Sequence, residues 1–257
     1  MKLETSAPRD IQNKPEPLQD GRFRFDCHPG VPCFTECCRD LRLILTPYDL
    51  LRLKNHLRLT SSELIARHLE LKPDESSGLP QAFLAMQDNP RRTCPFVAAE
   101  GCRIYADRPS ACRTYPLARA TRKHAVHGLV LEAYYVLHED HCRGFEQDRI
   151  FDTDQWVADQ GLVDYHEMNN LWMEIVTHRA LKQRPLTAQQ MQMVYLAAYD
   201  LDRFRQFVFG SRFLEKFAVA EEDLAAARDR DDGLLKLAFR WLRFTLFHDP
   251  VLGLSNA

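Results

Sequence analysis

Eight cysteines are the residues of this 257-residue chain whose type and spacing point most directly to chemistry. Four of them fall within twelve residues, from Cys27 to Cys38, where Pro29, Gly30 and Pro32 bend the chain. Thiolates that short turns bring together are ligands of zinc and iron–sulfur sites. We therefore predict a thiolate metal site, and all eight cysteines are candidate ligands: Cys27, Cys33, Cys37, Cys38, Cys94, Cys102, Cys112 and Cys142.

The cysteine spacing does not match a standard motif. It reads C-x5-C-x3-C-C, then C-x7-C-x9-C, then a lone cysteine, without paired CxxC knuckles or the ferredoxin run. Eight thiols allow two four-ligand sites, or one such site with spare cysteines. Cys37 and Cys38 are adjacent, and adjacent side chains point in different directions, so we expect that this pair does not clamp one ion together.

Other roles for these residues stay open at this stage. An alternative hypothesis is that the cysteines form a disulfide framework, although the chain is longer than the small secreted domains in which such frameworks occur. His28, His138 and His141 lie close to cysteines in the sequence and are possible replacement ligands. Cys142 with His138 or His141 is also a possible nucleophile and base pair. Asp49, Glu167 and Glu174 are expected on solvated helix faces.

Arginines crowd the cysteines along the chain. Guanidinium groups near a thiolate site lower thiol pKa values and offset the negative charge of the ligands. A solvated surface explains the same arginines equally well. The arginines concerned are Arg39, Arg91, Arg92, Arg103, Arg108, Arg113 and Arg143.

The bulk composition gives no sign of a nucleic-acid or membrane partner. The formal net charge is −2, and the hydrophobic and charged shares are 45% and 27%, which are ordinary for a globular protein. No apolar run is long enough to span a bilayer, and the N-terminus has no signal-peptide core. We expect a cytoplasmic protein with a protein partner or substrate whose identity the sequence does not give.

The pattern of elements predicts a mainly α chain of the α+β class. A small, irregular and partly β cysteine-rich part precedes a helical C-terminal subdomain. Thr46, Thr60 and Thr187 are predicted N-caps, and continuous helices are predicted over residues 163–181 and 221–247. A strand is predicted over residues 127–138. The expected domains are a flexible tail (1–22), a cysteine-cluster metal-binding domain (23–150) and an α-helical subdomain (151–257).

A family resemblance rests on the cysteine loop and on a second motif. The second motif includes Cys94-Pro95-Phe96, Gly101 to Tyr105, Arg108-Pro109, Cys112-Arg113 and Tyr115-Pro116. Together, over roughly residues 23–145, they resemble the YkgJ-family cysteine-cluster proteins, which are described as chelating zinc or iron. The first cluster of that family is typically C-x3-C-x2-C-C, and this chain departs from it.

The resemblance implies a metal-binding or redox module. A similar cluster occurs in flagellin lysine N-methylases, which look like iron–sulfur proteins that use S-adenosylmethionine. That relation favours an iron–sulfur cluster, of the [4Fe-4S] type, with Zn²⁺ as the alternative. The alternative function is a metal-dependent modification enzyme, such as an S-adenosylmethionine-dependent protein methylase. The sequence does not decide whether the chain is an enzyme, and it indicates no catalytic residue.

Overall fold

The computed structural model of the chain describes residues 15–123 and 129–255. Short strands and helices alternate in the first part, and helices predominate in the second, so the predicted α+β class with a helical C-terminal part is confirmed. The strands are β1 (Glu16–Pro17), β2 (Arg22–Arg24), β3 (Ile44–Leu45), β4 (Leu69–Pro73), β5 (Pro80–Leu84), β6 (Val97–Ala98), β7 (Gly101–Cys102), β8 (Leu117–Lys123), β9 (Val130–Val136), β10 (Ile150–Asp152), β11 (Phe217–Ala218) and β12 (Gly253–Leu254). The helices are α1 (Pro47–Leu57), α2 (Ser61–His68), α3 (Ser110–Thr114), α4 (Thr153–Asp159), α5 (Val163–Val176), α6 (Arg179–Gln183), α7 (Ala188–Val194), α8 (Leu201–Gly210), α9 (Phe213–Lys216), α10 (Glu221–Asp229) and α11 (Asp231–Phe247).

The chain divides into two compact units, and each combines two separate stretches. Unit 1 comprises residues 1–44 and 84–164, and unit 2 comprises residues 45–83 and 165–257, of which only the described residues are discussed. The prediction placed the boundary between the cysteine-cluster domain and the helical subdomain at residue 150. Residues 45–83 instead group with the C-terminal helices.

Unit 1 is built from small antiparallel sheets around an aromatic core. One sheet has the order β1-β9-β8, and two-stranded ladders join β2 to β10 and β6 to β7. Phe23, Phe25 and Phe151 surround Trp156, with ring centroids 5.5, 5.7 and 4.9 Å from that of the indole. Because aromatic side chains bury large apolar areas, this cluster is the main anchor for the chain that enters the first cysteine loop.

The sequence predicted a flexible N-terminal tail and a strand over residues 127–138 in this part of the chain. Residues 1–14 of the predicted flexible tail lie outside the described residues, while Glu16–Pro17 pairs with β9 as an edge strand. The strand predicted over residues 127–138 is β9, and its residues 127 and 128 also lie outside the described part. Its partner β8, which pairs with it over seven residues, was not predicted.

The helices of unit 2 begin where the sequence predicts. Thr46 and Thr60 each form a capping box, with Asp49 and Glu63, and Thr187 forms one with Gln190. The expectation that Asp49 lies on a solvated face was wrong. It is fully buried, and its carboxylate accepts a hydrogen bond from the backbone N–H of Thr46 at 2.8 Å, which offsets part of the cost of burial.

Two predicted long helices are interrupted in unit 2. The helix predicted over residues 163–181 ends at Val176, and His178 caps a separate helix, α6, by accepting a hydrogen bond from the Ala180 N–H at 3.2 Å. The helix predicted over residues 221–247 breaks at Arg230, whose backbone is extended. Among the residues described, none of the helices is both long enough and apolar enough to cross a bilayer.

Candidate metal centre

The first cysteine segment of unit 1 is a succession of tight turns. Backbone hydrogen bonds of 2.9 Å join Val31 to His28, Phe34 to Val31, Glu36 to Cys33 and Cys38 to Thr35. Val31 is buried and anchors the segment. The winding of the chain gathers four thiols in a short stretch: Cys27, Cys33, Cys37 and Cys38.

Backbone pairing joins the second cysteine segment to the first. The N–H of Cys94 donates to the carbonyl oxygen of Cys38 at 2.8 Å, and Arg39 forms a bridge with Thr93. After Cys94 the chain turns through the β6–β7 hairpin, in which Cys102 lies opposite Val97. The hairpin therefore places Cys94 and Cys102 near each other although seven residues lie between them in the chain.

The loop that carries Cys142 is tied to the first segment as well. The backbone N–H of Arg143 donates a hydrogen bond to the Sγ atom of Cys33 at 3.0 Å. The N–H of Asp26 donates to the Gly144 carbonyl oxygen at 3.1 Å. These bonds bring together cysteines that are more than one hundred positions apart in the chain, which the spacing alone did not predict.

Cys37 is the common neighbour of this set of thiols. Burial, followed by the neighbouring thiols of Cys37, Cys33 and Cys142, raises the pKa of Cys27 to about 12. Cys37 also acts on Cys94, Cys102 and Cys142, and its own pKa is raised by its hydrogen bond with Cys38 and by burial. We call the seven thiols connected in this way the thiol cluster: Cys27, Cys33, Cys37, Cys38, Cys94, Cys102 and Cys142.

Backbone amides point at several sulfurs of the thiol cluster. Burial raises the pKa of Cys94, while hydrogen bonds from the amides of Phe96 and Val97 oppose that rise. Cys102 and Cys142 receive similar bonds from the amides of Ile104 and Gly144, and Cys33 receives the one from Arg143. Hydrogen bonds to the sulfurs favour the thiolate form and are a feature of iron–sulfur sites.

The two adjacent cysteines lie closer together than expected. The Sγ atoms of Cys37 and Cys38 are 4.0 Å apart. Two sulfurs on one tetrahedral zinc ion with bonds of about 2.3 Å are about 3.8 Å apart. The expectation that the pair cannot serve one ion is therefore not supported by this distance.

Cys112 differs from the other seven cysteines. It lies on the short helix α3, is exposed, and interacts electrostatically with Arg108. All eight cysteines lie in the described residues, and none of them is in a disulfide. Within residues 15–123 and 129–255, no three Cys, His, Asp or Glu side chains are arranged to hold a metal ion as they stand.

The arginines near the cysteines have different partners. Arg108 and Arg103 both lower the pKa of Cys102, against the larger effect of its burial. Arg39 and Arg91 pair with Glu36, whereas Arg92 pairs with Asp40. The prediction that arginines stabilise the thiolates therefore applies to Arg103 and Arg108, whereas Arg39, Arg91 and Arg92 form ion pairs with carboxylates.

Tyr115 is a neighbour of the thiol cluster. From the sequence alone, simple packing was the expected role of this residue. Its hydroxyl is buried and makes no well-formed hydrogen bond among the described residues. Burial and the thiol of Cys142 raise the pKa of Tyr115 strongly. The phenol ring packs edge-on against Phe25, with centroids 5.9 Å apart, so its hydroxyl is held beside Cys142.

The histidines considered as replacement ligands have other contacts. The Nδ1 atom of His28 accepts a hydrogen bond from the Gly30 N–H at 3.1 Å, which closes a turn. The ring of His138 lies 4.4 Å from that of Phe145, and His141 faces Glu139 at 3.4 Å. These contacts give no support to a Cys142 and histidine nucleophile pair.

The donor set of the thiol cluster fits zinc or an iron–sulfur core. It offers thiols as its donors, amide N–H groups aimed at sulfur and one buried hydroxyl beside Cys142. A bound cation is the charge that would offset the mutual repulsion of these thiols once they are ionised. The thiol cluster therefore fits a metal in the chemical type of its donors and in the groups that surround them.

Comparison with known proteins agrees with this chemistry. Residues 26–146 match the family model CxxCxxCC, described as a "putative zinc- or iron-chelating domain". The match spans a little under half of the chain and contains all eight cysteines. It confirms the resemblance to a cysteine-cluster family. No curated protein and no solved structure matches the chain.

Proposed function

We propose that the thiol cluster holds an iron–sulfur core, with Zn²⁺ as the second choice, since residues 26–146 match a family model described as a zinc- or iron-chelating domain. The protein then acts as a metal-binding or redox module. The observation that carries this proposal is the convergence of seven thiols from three separate segments of unit 1, with Cys37 as the neighbour of five of the others.

The amide hydrogen bonds support iron–sulfur over zinc and rank the ligands. Four sulfurs accept a backbone N–H group from another residue, whereas Cys37 accepts only its own, and such bonds adjust the reduction potential of an iron–sulfur cluster. A four-ligand core is therefore proposed on Cys33, Cys94, Cys102 and Cys142. Cys27, Cys37 and Cys38 remain candidate ligands of the same or a second site, and exposed Cys112 is the weakest candidate.

Bound metal would supply folding energy to a unit of short strands and turns. Because ligands that lie far apart in the chain must converge, the binding energy is also folding energy. An iron–sulfur core would add one-electron chemistry, for which we propose a protein partner. Eight cysteines without a disulfide suit a reducing compartment, and we propose the cytoplasm as the setting.

An enzyme is kept as a second candidate because of one cleft in unit 1. A cavity of about 620 Å³ is lined by residues of β1, β2 and the end of β9, together with His138 and Phe145, which flank Cys142 in the sequence. Its lining does not come from the C-terminal helices. Calorimetry with S-adenosylmethionine tests this alternative, since a modification enzyme of the kind implied by the methylase resemblance must bind that compound.

The main test is anaerobic purification followed by iron, zinc and acid-labile sulfide analysis and a visible spectrum. We expect a coloured protein with iron and sulfide in matching amounts. A colourless protein that retains zinc and no sulfide would move the proposal to its second choice. Protein that binds neither metal after reconstitution would overturn it.

Serine variants test the ligand assignment. Cys94→Ser and Cys102→Ser should lose metal and destabilise unit 1, because each removes a sulfur that backbone amides already orient. His28→Ser is the matched control within the same turns, and it should retain metal, as should Cys112→Ser. Soluble and fully metallated Cys94→Ser and Cys102→Ser proteins would contradict the assignment.

A further inference from the structure

Two buried arginines lie in the segment between Cys102 and the end of α3. Arg108 and Arg113 are 8% and 6% exposed, whereas a charged side chain is rarely buried to this degree without a specific role. Burying a guanidinium group costs free energy unless its donors and its charge are matched. The contacts of the two side chains show what matches each of them.

Arg113 fixes the backbone of this segment. Its Nε atom donates to the carbonyl oxygen of Arg108 at 3.0 Å, and one Nη atom donates to that of Gln160 at 2.6 Å. The other Nη atom donates to the carbonyl oxygen of Ala106. A planar fork of donors suits this task, which joins three points of the chain.

Arg108 has a different environment. One Nη atom donates to the Tyr105 carbonyl oxygen at 2.8 Å, and the other donates to the side-chain oxygen of Gln160. The ring of Tyr105 covers the guanidinium group, whose carbon lies 3.8 Å from the ring centroid. Tyr105 directly follows Ile104, whose backbone amide donates to the sulfur of Cys102, so the guanidinium group is held in the same tight loop as that thiol. Its charge interacts with the thiols of Cys112 and Cys102.

We propose that Arg108 is a built-in counter-charge of the metal centre, which strengthens metal binding by stabilising the thiolates on its Cys102 side. This inference rests on the proposed function. Four thiolates around a zinc ion carry a net charge of −2, and a guanidinium group that water does not screen offsets part of it. Arg108 is a positioning residue in this account, since its charge acts on the ligands and it does not bind the metal.

Charge and shape can be separated at this position with two variants. Arg108→Gln and Arg108→Lys both lose the two-pronged contact with Tyr105 and Gln160, but only Arg108→Lys keeps a positive charge. We expect zinc affinity, measured by competition with a chromophoric chelator on the full chain, to fall on the order of tenfold or more in Arg108→Gln. In Arg108→Lys it should stay within about threefold of the wild-type value.

The control is a second arginine near a cysteine of the cluster. Arg92 lies two residues before Cys94 but is largely exposed and pairs with Asp40 at 3.1 Å. Arg92→Gln removes the same charge and should leave zinc affinity unchanged. Equal losses in Arg108→Gln and Arg108→Lys, or no loss in Arg108→Gln, would overturn the proposal.

A third position keeps the proposal testable if Arg108→Gln does not fold. The Tyr105 side chain is 58% exposed, so Tyr105→Ala should fold while it lets water reach the guanidinium group. Zinc affinity should then fall severalfold in Tyr105→Ala. Tyr105→Phe keeps the ring and should retain the wild-type affinity. Unchanged affinity in Tyr105→Ala would count against the role of Arg108 as a counter-charge. Wild-type protein that binds neither zinc nor iron would instead refute the proposed function itself.

Discussion

Lys54 of α1 lies buried between two carboxylates of unit 2. Its Nζ atom is 2.7 Å from Asp202 and 3.3 Å from Asp231, and Arg205 also pairs with Asp231. Burial works to raise the pKa of Asp202, but its hydrogen bonds with Lys54 and Ser61 outweigh burial and lower that pKa below its ordinary value. The ion pair therefore stabilises unit 2 only while Asp202 is ionised.

This lowered pKa predicts a pH-dependent contribution to stability. A carboxyl group with a lowered folded-state pKa stabilises the protein above its unfolded-state pKa of about 3.9, and the effect is lost as pH falls through the folded-state value. Asp202→Asn should lower the free energy of unfolding by about 2 kcal/mol at pH 7. The difference from wild type should shrink as pH falls from about 5 towards the folded-state pKa, as measured by denaturant unfolding.

An exposed ion pair serves as the control for Asp202. Asp148 pairs with Arg24 at 3.3 Å, and its side chain is fully exposed. Asp148→Asn should therefore leave the stability at pH 7 essentially unchanged. If Asp202→Asn were equally mild, or its effect independent of pH, the stabilising role of the ion pair would be refuted.

The sequence predicts residues well where their partners are local. The capping box of Thr60 and Glu63 needs a partner three positions away, so the pattern alone gives it. Arg108 and Gln160 are 52 positions apart, and the contact that buries them depends on how unit 1 folds. The cysteines are visible by type, whereas their common neighbour Cys37 is visible only in three dimensions.

Helices α10 and α11 pack closely at Gly233. A Cβ atom at this position would lie 2.4 Å from the carbonyl oxygen of Ala226, a backbone atom that cannot turn away. Gly233→Ala should lower the free energy of unfolding by about 1–3 kcal/mol, because the two helices must separate. Thermal or denaturant unfolding of the variant measures this change.

Gly210 provides the matched control at the end of α8. A Cβ atom there meets no other atom within 4 Å, so the helix propensity of alanine is not opposed by a clash. Gly210→Ala should leave stability unchanged or raise it by up to about 1 kcal/mol. A Gly233→Ala variant as stable as Gly210→Ala would show that the α10–α11 contact tolerates a methyl group.

Periodicity located the helices of unit 2 but not their interruptions. Residues 221–247 carry a helical pattern throughout, and Arg230 is an acceptable helix residue by propensity. The break there lets α10 and α11 fold back on each other as neighbours, which is a tertiary preference. For the same reason β8 was missed, since its strand form is set by pairing with β9.

At the scale of the whole molecule, the sequence could not show that each unit is discontinuous. Residues 45–83 lie between cysteine segments in the chain, and a contiguous domain over residues 23–150 was the simplest expectation. In the fold, residues 45–83 instead belong to the same compact unit as the C-terminal helices. Bonds such as that of Lys54 with Asp202 join positions 148 residues apart, beyond the reach of any local pattern.

Metal removal distinguishes a contiguous metal-binding domain over residues 23–150 from the discontinuous unit 1 seen in the fold. If the metal binds the thiol cluster, its binding energy stabilises the unit that contains the ligands. Hydrogen exchange, measured with metal and after anaerobic chelation, should show lost protection in residues 23–44 and 84–150. Residues 45–83 should keep their protection, as should residues 165–255.

Cys94→Ser supplies the same comparison without a chelator. This variant should show the exchange pattern of the metal-free protein before any treatment, because it lacks a proposed ligand. Loss of protection over residues 45–83 together with the cysteine segments would mean that residues 23–150 respond as one domain, against the grouping seen in the fold. Protection retained over residues 45–83 would show that the metal stabilises unit 1 alone, because the segment inserted between its cysteines owes its stability to the helices of unit 2.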